Sequence, residues 1–209
     1  MNSRPLTDLI KSRYNRVAPL YDAMEAFIEA YLFKSLRAEL LSTVSGRVLE
    51  VGVGTGKNLS FYPNNIDLYA IDFSAGMLRR PKQRANTTHS PAQLFEMDVQ
   101  KLGFPDSSLD FVVTSFVFCS VPDPIKGLKE IHRVLKPGGQ LLMLEHVRSQ
   151  LPILGNIMDW LDFMPYYLYG AHINRDTENN LLAAGFSPVR VRGCWIDIVK
   201  QFQYSKHGL

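Results

Sequence analysis

The sequence of 209 residues is poor in cysteine and has no long apolar run. Its two cysteines, Cys119 and Cys194, are too few for a disulfide framework or a closed zinc site, and we expect both to fill apolar space in a reducing environment. No segment approaches the ~18 consecutive apolar residues of a membrane span. Residues 1–16 lack the apolar core of a signal peptide. These absences favour a cytoplasmic protein, with peripheral membrane association as the alternative.

The charge surplus is small. Lys and Arg number 23 and Asp and Glu number 20, which leaves a net charge of +3. That surplus is too weak to indicate nucleic acid as a partner, and no basic domain is appended to the short chain. A hydrophobic fraction of 46% excludes a disordered chain. We therefore predict a globular protein whose partner is a small molecule or a lipid-like compound; its oligomeric state is left open.

Short β-rich runs alternate with helical patterns, which is typical of an α/β fold whose mostly parallel sheet carries helices on both faces. The predicted strands are Val48–Val53, Leu68–Asp72, Gln93–Met97, Leu109–Phe116, Gln140–His146, Val189–Arg192 and Ile198–Tyr204. The predicted helices are Lys57–Tyr62, Ala75–Arg84, Pro124–Leu135 and Arg175–Ala184. Apolar residues at helical spacing add an N-terminal helix over Asp22–Leu41, whereas residues 160–169 are predicted to be irregular.

No repeat or low-complexity linker marks a second domain. We expect one domain over residues 1–209. Within it, residues 1–45 are predicted to form a helical lid and residues 46–147 the core that binds a cofactor. Residues 148–209 are predicted to form the substrate side and the last strands.

The segment Val48–Gly56 reads VLEVGVGTG, an apolar strand that runs into three alternating glycines. Glycines at a strand-to-helix turn let the backbone approach a ligand closely. The dinucleotide motif G-x-G-x-x-G and a GKS or GKT phosphate loop are both absent. Glu50, inside the strand, is a poor neighbour for a pyrophosphate. The pattern therefore disfavours a nicotinamide-dependent oxidoreductase.

Acidic residues also end the next two strands. Asp72 can accept hydrogen bonds from ribose hydroxyls, and Asp98 can meet an adenine amino group. Each alone is commonly a turn-forming residue. Three acids at successive strands beside a glycine turn favour an adenosine site without phosphate.

Several segments together resemble the class I S-adenosylmethionine-dependent methyltransferases, and the likeness is greatest to the ubiquinone/menaquinone C-methyltransferase branch. The segments are Val48–Gly56, Ala70–Ser74 (AIDFS), Glu96–Val113 (EMDVQKLGFPDSSLDFVV) and Arg133–Val147 (RVLKPGGQLLMLEHV). Arg13–Asp22 (RYNRVAPLYD) fits that branch and is similar to bacterial phospholipid N-methyltransferases. The segments that begin at Phe118 (FCSVPDP) and Asn174 (NRDTENNLLAAGF) are similar to methyltransferase-like thiol and lipid-droplet enzymes.

The resemblance implies a Rossmann-like seven-stranded sheet, an N-terminal helical lid and S-adenosyl-L-methionine as the cofactor. It implies that Gly52, Gly54 and Gly56 line the amino-acid moiety, and that Glu50 holds this loop or contacts the moiety through water. The contacts that it implies to the adenosine are Asp72, Phe73, Met77, Asp98 and Val99. Phe116 is implied beside the transferred methyl group, and Tyr14 and Tyr21 as parts of the lid.

Methyl transfer needs no metal, and no ligand spacing for one occurs in the sequence. A neutral acceptor can require a base, for which His146 beside Glu145 is the candidate; the alternative is a histidine that only hydrogen-bonds the next loop. A second set of polar residues is predicted to bind the substrate or, alternatively, to cap the following helix. This set is His172, Asn174 and Arg175.

An aromatic run is predicted to form a hydrophobic substrate wall, a membrane contact or a lid on the core. It comprises Trp160, Phe163, Tyr166, Tyr167 and Tyr169, interrupted by Pro165. We accordingly expect methyl transfer to a small, hydrophobic or lipid-like acceptor such as a quinone precursor, a phospholipid amine or a thiol. The alternative function is a noncatalytic module that binds S-adenosylmethionine and regulates a partner.

Overall fold

The computed structural model describes residues 6–16, 32–85 and 92–206. A seven-stranded sheet with the order β3-β2-β1-β4-β5-β7-β6 forms its centre. The strands are β1 Arg47–Val51, β2 Asp67–Asp72, β3 Gln93–Glu96, β4 Leu109–Ser115, β5 Leu135–His146, β6 Ser187–Trp195 and β7 Val199–Ser205. The ladders from β3 to β5 are parallel, and β7 pairs antiparallel with both β5 and β6. The predicted mostly parallel sheet is confirmed.

Helices flank this sheet. They are α1 (residues 6–16), α2 Lys34–Leu41, α3 Ala75–Ala85, α4 Pro124–Val134, α5 Pro152–Leu161, α6 Phe163–Tyr169 and α7 Thr177–Ala183. α4 begins as predicted, because the Asp123 side chain accepts a hydrogen bond of 2.9 Å from the Lys126 N–H and Pro124 occupies the first turn. Among the described helices, none has the length and apolar character needed to cross a bilayer.

Alternate residues of the central strands feed two hydrophobic clusters, one on each face of the sheet. On one face, Leu49 and Val112 belong to a cluster that includes Ile131 of α4. On the other face, Val48 and Val113 belong to a cluster that includes residues of α2 and α3. Both faces are therefore covered, as the near-continuous apolar strands predict.

Two predictions of local structure are wrong. The predicted helix Lys57–Tyr62 is a turn followed by the short 3-10 helix Leu59–Phe61, because the buried Asn58 side chain is tied to the sheet rather than left on a helix surface. The aromatic stretch predicted to be irregular is helical, since it spans the end of α5 and all of α6. Pro165 lies in the first turn of α6, where its missing N–H breaks no helical hydrogen bond.

Part of the predicted lid is present. Helices α1 and α2 lie within residues 1–45, in agreement with a helical N-terminus. Tyr21, and the part of the predicted Asp22–Leu41 helix that precedes residue 32, lie outside the described residues.

Candidate functional site

Two adjoining cavities lie at the carboxyl ends of the central parallel strands, where ligands bind in open α/β sheets. The larger cavity has a volume of about 690 Å³ and the smaller one about 390 Å³. The larger cavity contains the buried charged groups Arg37, Glu50 and Asp72, whereas the smaller one is lined mainly by apolar side chains. Residues shared by the two walls are Gly52, Asp72, Phe73, Val117 and Ser120.

The glycine turn forms the floor of the larger cavity. Gly52 has a φ of +70° and Gly54 a φ of +54°, conformations that strain other L residues. A Cβ atom at Gly52 would lie 2.4 Å from Val117 Cγ2, whereas one at Gly54 would meet nothing closer than 3.9 Å. Gly52 therefore allows the turn to pack against the loop after β4, and Gly54 leaves its backbone open toward the cavity.

A chain of hydrogen bonds joins three buried polar side chains at the base of the larger cavity. Arg37 Nη1 donates to Asn58 Oδ1 at 2.9 Å, and Asn58 Nδ2 donates to Glu50 Oε1 at 2.9 Å. Burial raises the pKa of Glu50 to about 7, although the Arg37 charge opposes that shift. The second oxygen of Glu50, Oε2, is buried and has no hydrogen-bond partner among the described residues. Glu50 lines the larger cavity, and the buried Tyr62 hydroxyl also lies near its carboxylate.

Asp72 holds the glycine turn against β2. Its Oδ2 accepts a hydrogen bond from the Gly54 N–H and its Oδ1 one from the Ser74 N–H, both at 2.9 Å. Burial raises the pKa of Asp72 to about 6. Because Asp72 lines both cavities, it lies where a ligand that spans them would place its central part. The ribose contact stays a prediction.

The smaller cavity contains the residues predicted to read an adenine edge. Asp98 and Val99 line it together with Phe73 and with Thr7 of α1. Asp98 already accepts hydrogen bonds from Gln100, at 2.9 Å from the N–H and at 3.0–3.1 Å from the side-chain amide. The structure brings these residues together, and their contact with adenine stays a prediction.

Phe116 forms an aromatic wall of the larger cavity. Its φ of +58° is uncommon for an aromatic residue and indicates that the surrounding packing holds it there. Its ring lies 4.5 Å from the Phe33 ring and 4.7 Å from the His146 ring, and the Arg37 guanidinium lies 5.5 Å from its centroid. Within the described part of the chain, His146 does not line either cavity and reaches the larger one only through Phe116.

Glu145, the residue before His146, is fully buried. Its Oε1 accepts hydrogen bonds from Thr114 Oγ1 at 3.1 Å and from the backbone N–H groups of Val117 at 3.0 Å and Phe118 at 3.3 Å. Burial raises the pKa of Glu145 to about 7. It therefore fixes the loop that carries Phe116 and Val117 at the cavity wall.

Helix α1 covers the larger cavity, as predicted for a lid. The Tyr14 hydroxyl lies 2.5 Å from Ser120 Oγ, and the Tyr14 ring meets the Phe73 ring edge-on at 5.7 Å. Asn15 Oδ1 accepts hydrogen bonds from the Ser74 hydroxyl at 2.7 Å and the Gly76 N–H at 2.9 Å. The lid is therefore fastened to the turn between β2 and α3. Met77, also predicted for this site, lines the larger cavity, whereas Gly56 lines neither cavity in the described part of the chain.

The three residues predicted to bind substrate line neither cavity in the described part of the chain. His172 Nδ1 pairs with Asp162 at 2.7 Å, and Asn174 donates to Asp159 at 3.1 Å. Arg175 donates to the Val121 carbonyl at 3.0 Å, and burial lowers the pKa of its guanidinium. They hold the segment before α7 in place, and a contact with substrate stays a prediction.

Sequence analysis missed several polar residues of the larger cavity. They are Arg37, Thr55, Lys57, Asn58, Ser115 and Ser120. Arg37 had a detectable signal. It lies four residues after Phe33 and three before Leu40, both of which are buried, so it falls on the buried side of α2. A cation on that face predicts a buried partner. The other five gave no such signal.

Comparisons with known proteins identify the family of the chain. Residues 49–143 match the family model described as a methyltransferase domain. Phosphatidylethanolamine N-methyltransferase of Cereibacter sphaeroides is 39% identical over 48% of this chain and 51% of its own length. Ubiquinone/menaquinone biosynthesis C-methyltransferase UbiE of Geobacter sp. strain M21 is 30% identical over 71% and 67%. Thiol S-methyltransferase TMT1B of Mus musculus is 32% identical over 83% and 76%.

The chain spans about half of the phosphatidylethanolamine N-methyltransferase, so the family is established on firmer coverage by the other two relatives. Among solved structures, an S-adenosylmethionine-dependent methyltransferase of Thermotoga maritima, titled a possible histamine N-methyltransferase, superposes with a TM-score of 0.73. It covers 93% of this chain and 99% of its own at 20% identity, which supports the fold. The chain belongs to the class I S-adenosylmethionine-dependent methyltransferases.

Proposed function

We propose that this protein transfers the methyl group of S-adenosyl-L-methionine to a small, hydrophobic or lipid-like acceptor. The observation that carries the proposal is the division of the site at Asp72 and Phe73. On one side lies a cavity with buried charged groups, and on the other a mainly apolar cavity. An amino-acid group, a ribose and an adenine joined in that order match this division, and none of them carries a phosphate.

The residues present fit that cofactor. Its ammonium and carboxylate groups require one buried acceptor and one buried cation, and the buried Glu50 and Arg37 of the larger cavity are our candidates for these roles. Asp72 and the open backbone at Gly54 lie where the ribose would be. Phe73, Asp98 and the apolar wall would enclose the adenine. When bound, the cofactor supplies a methyl group on a positively charged sulfur that is already a strong electrophile.

The chain contributes orientation and exclusion of water. Tyr14 and Ser120 close the larger cavity from the side of α1, and Phe116 forms the wall next to the glycine turn. Alignment of the reacting atoms in such an enclosure can supply ~7–11 kcal/mol of the barrier reduction. A neutral thiol or amine must also lose a proton. His146, whose ring contacts Phe116 behind the cavity wall, is our candidate for accepting that proton through a water molecule.

The acceptor is proposed from the wall and from the relatives. Phe33, Phe116 and the His146 ring form an aromatic surface, which favours an apolar acceptor over a highly charged one. The relatives named above act on a phospholipid amine, a quinone precursor and a thiol by their printed names. These three acceptor classes are therefore the ones to assay.

The test is a turnover assay with methyl-labelled cofactor. The protein is incubated in separate reactions with a demethylated menaquinone, with phosphatidylethanolamine vesicles and with a small alkyl thiol, and S-adenosylhomocysteine and labelled product are measured. We expect product with at least one acceptor and its loss in Asp72→Ala, which removes the carboxylate between the cavities. Cofactor binding without product from any acceptor class would favour the noncatalytic module. Absence of heat on titration with the cofactor would overturn the proposal.

A further inference from the structure

Helices α5 and α6 expose a large apolar surface. Of the fifteen large hydrophobic side chains exposed in the described part of the chain, eight lie between residues 151 and 168. Ile153, Ile157 and Trp160 recur on α5 at the spacing of one helix face, and α6 continues the surface. The apolar face, as named here, consists of Ile153, Ile157, Trp160, Met164, Tyr167 and Leu168.

The exposure of this face is high. Ile153 is 79%, Trp160 72% and Tyr167 70% exposed. Soluble monomers rarely expose contiguous apolar surface on this scale unless it binds something. The opposite side of α5 packs on the protein through the buried residues Gly155 and Met158. The apolar face is therefore the outer side of an anchored helix pair.

The acidic side chains within this segment have partners within the protein. Residues 149–174 contain no Lys or Arg, and their acidic residues are Asp159 and Asp162. Asp159 forms an ion pair with Arg148 at 2.9 Å, and Asp162 hydrogen-bonds His172 at 2.7 Å. The acids of this segment therefore have partners within the protein, and the apolar face carries no charged side chain of its own.

Helix α1 places positive charge at the edge of the apolar face. Arg13 Nη1 donates to the Tyr166 carbonyl at 2.6 Å, and Ile10 packs against Gly170 at the end of α6. Residues 6–16 hold one acid, Asp8, against three cations, which are Lys11, Arg13 and Arg16. Lys11 pairs with Glu96, and Arg16 is exposed. A helix with a net positive charge thus adjoins the apolar face.

We infer that the apolar face docks on the surface of an anionic lipid bilayer. Tryptophan, tyrosine and branched aliphatic side chains beside a basic helix match the two layers of such a surface, the acyl boundary and the negatively charged headgroups. A second copy of the chain would bring further positive charge to α1, whereas an anionic bilayer brings the opposite sign. The docked surface lies next to the lid of the site, so an apolar acceptor would enter from the bilayer.

This inference goes beyond the methyl-transfer proposal, and its failure would leave that proposal intact because binding is measured without turnover. Co-sedimentation is carried out with vesicles of phosphatidylcholine and with vesicles of phosphatidylcholine and phosphatidylglycerol in equal parts. We expect binding to the anionic vesicles and at least tenfold weaker binding by the double variant Ile153→Ser and Trp160→Ser. Both positions are exposed, so the variant should fold normally, which thermal unfolding checks.

The matched control is the double variant Leu182→Ser and Val189→Ser, which removes exposed apolar residues of α7 and β6. It should bind vesicles as the original protein does. Arg16→Gln should weaken binding to the anionic vesicles about fivefold at low ionic strength. Equal loss in both double variants would overturn the assignment of this face.

A spectroscopic readout separates insertion from mere adsorption. The chain has two tryptophans, so Trp195→Phe leaves Trp160 as the single source of tryptophan fluorescence. Its emission should shift to the blue when anionic vesicles are added, because the indole leaves water. No vesicle binding, or a concentration-dependent dimer that the Ile153→Ser and Trp160→Ser variant abolishes without vesicle binding, would overturn the proposal.

Discussion

Arg37 and Asn58 are joined by a hydrogen bond of 2.9 Å that ties helix α2 to the turn after β1. Through Asn58, the guanidinium is linked to Glu50 within the strand. The base of the larger cavity is therefore built from two separate parts of the chain. The cation, Arg37, belongs to α2, and the carboxylate, Glu50, belongs to β1.

Arg37→Ala should weaken binding of S-adenosylmethionine about tenfold or more. Hydrogen bonds to charged groups contribute ~1.5–3 kcal/mol, and removal of the cation also removes a charge that stabilises the Glu50 carboxylate. Isothermal titration calorimetry measures the affinity. Lys34→Gln removes an exposed positive charge from the same helix and should leave it unchanged. An equal loss in both variants would show a general charge effect instead.

Gly52→Ala should destabilise the protein by more than ~1 kcal/mol and abolish cofactor binding. The new Cβ atom would lie 2.4 Å from Val117 Cγ2 on a backbone with φ of +70°. Gly193→Ala is the control, since its Cβ atom would meet nothing within 4 Å. Chemical denaturation of both variants measures the difference. A Gly52→Ala protein as stable as Gly193→Ala would contradict the described packing of the turn.

The free energy of unfolding of the Glu145→Gln variant should increase, relative to that of the original protein, as the pH rises from 5 to 8. The pKa of Glu145 is about 7 in the folded protein and 4.5 for an ordinary glutamate, so the folded state holds its proton more tightly and loses stability as the pH rises between them. The relative gain should approach ~3 kcal/mol. Glutamine keeps an acceptor for the hydrogen bonds to Thr114, Val117 and Phe118.

Glu130→Gln gives the opposite sign and serves as the control for that series. The hydrogen bonds from Arg133 lower the pKa of Glu130, so its contribution to stability is present above the unfolded pKa and is lost in acid. The Gln variant should therefore be less stable than the original protein at pH 8 and approach it as the pH falls. Denaturation curves across the pH range measure the stability of both variants relative to the original protein. A stability difference for Glu145→Gln that does not change with pH would refute the raised pKa of Glu145.

His146→Gln should lower kcat about 100-fold with a neutral acceptor while leaving the affinity for the cofactor unchanged. The histidine ring contacts Phe116 at the cavity wall, and its loss removes a proton acceptor rather than a cofactor contact. His132→Gln is the control, because His132 packs on Phe186. Steady-state rates and calorimetry provide the two readouts. An unchanged kcat would assign His146 to packing alone.

Much of the sheet follows from local pattern. Short, mainly apolar runs predict buried parallel strands, and β1, β2 and β4 lie close to the predicted ranges. β5 is longer than predicted, since Leu135 pairs with Leu109 across a register shift that the Pro137-Gly138-Gly139 turn signal concealed. The glycine turn and the acids at strand ends were predictable because each must lie at one edge of a parallel sheet.

The rest of the site depends on contacts that sequence spacing does not encode. Asn58 is a buried link between Arg37 and Glu50 only because α2 packs on the turn after β1. The positive φ of Phe116 depends on Glu145, which holds the two following N–H groups. The helical character of residues 160–169 was missed because the aromatic, proline-containing run of α6 lacks the polar positions that mark an amphipathic helix.

Helix α1 touches three regions at once: Ser74 and Gly76 through Asn15, Ser120 through Tyr14, and Tyr166 through Arg13. If the demethylated cofactor leaves from the side of α1, the first two sets of bonds must break, and the third binds the same helix to α6. On that route, the residence time of the demethylated product depends on how strongly α1 is bound to the rest of the protein. A contact that stabilises α6 from outside would also stabilise α1 through Arg13. By thermodynamic linkage, a cofactor bound beneath α1 would in turn stabilise α6.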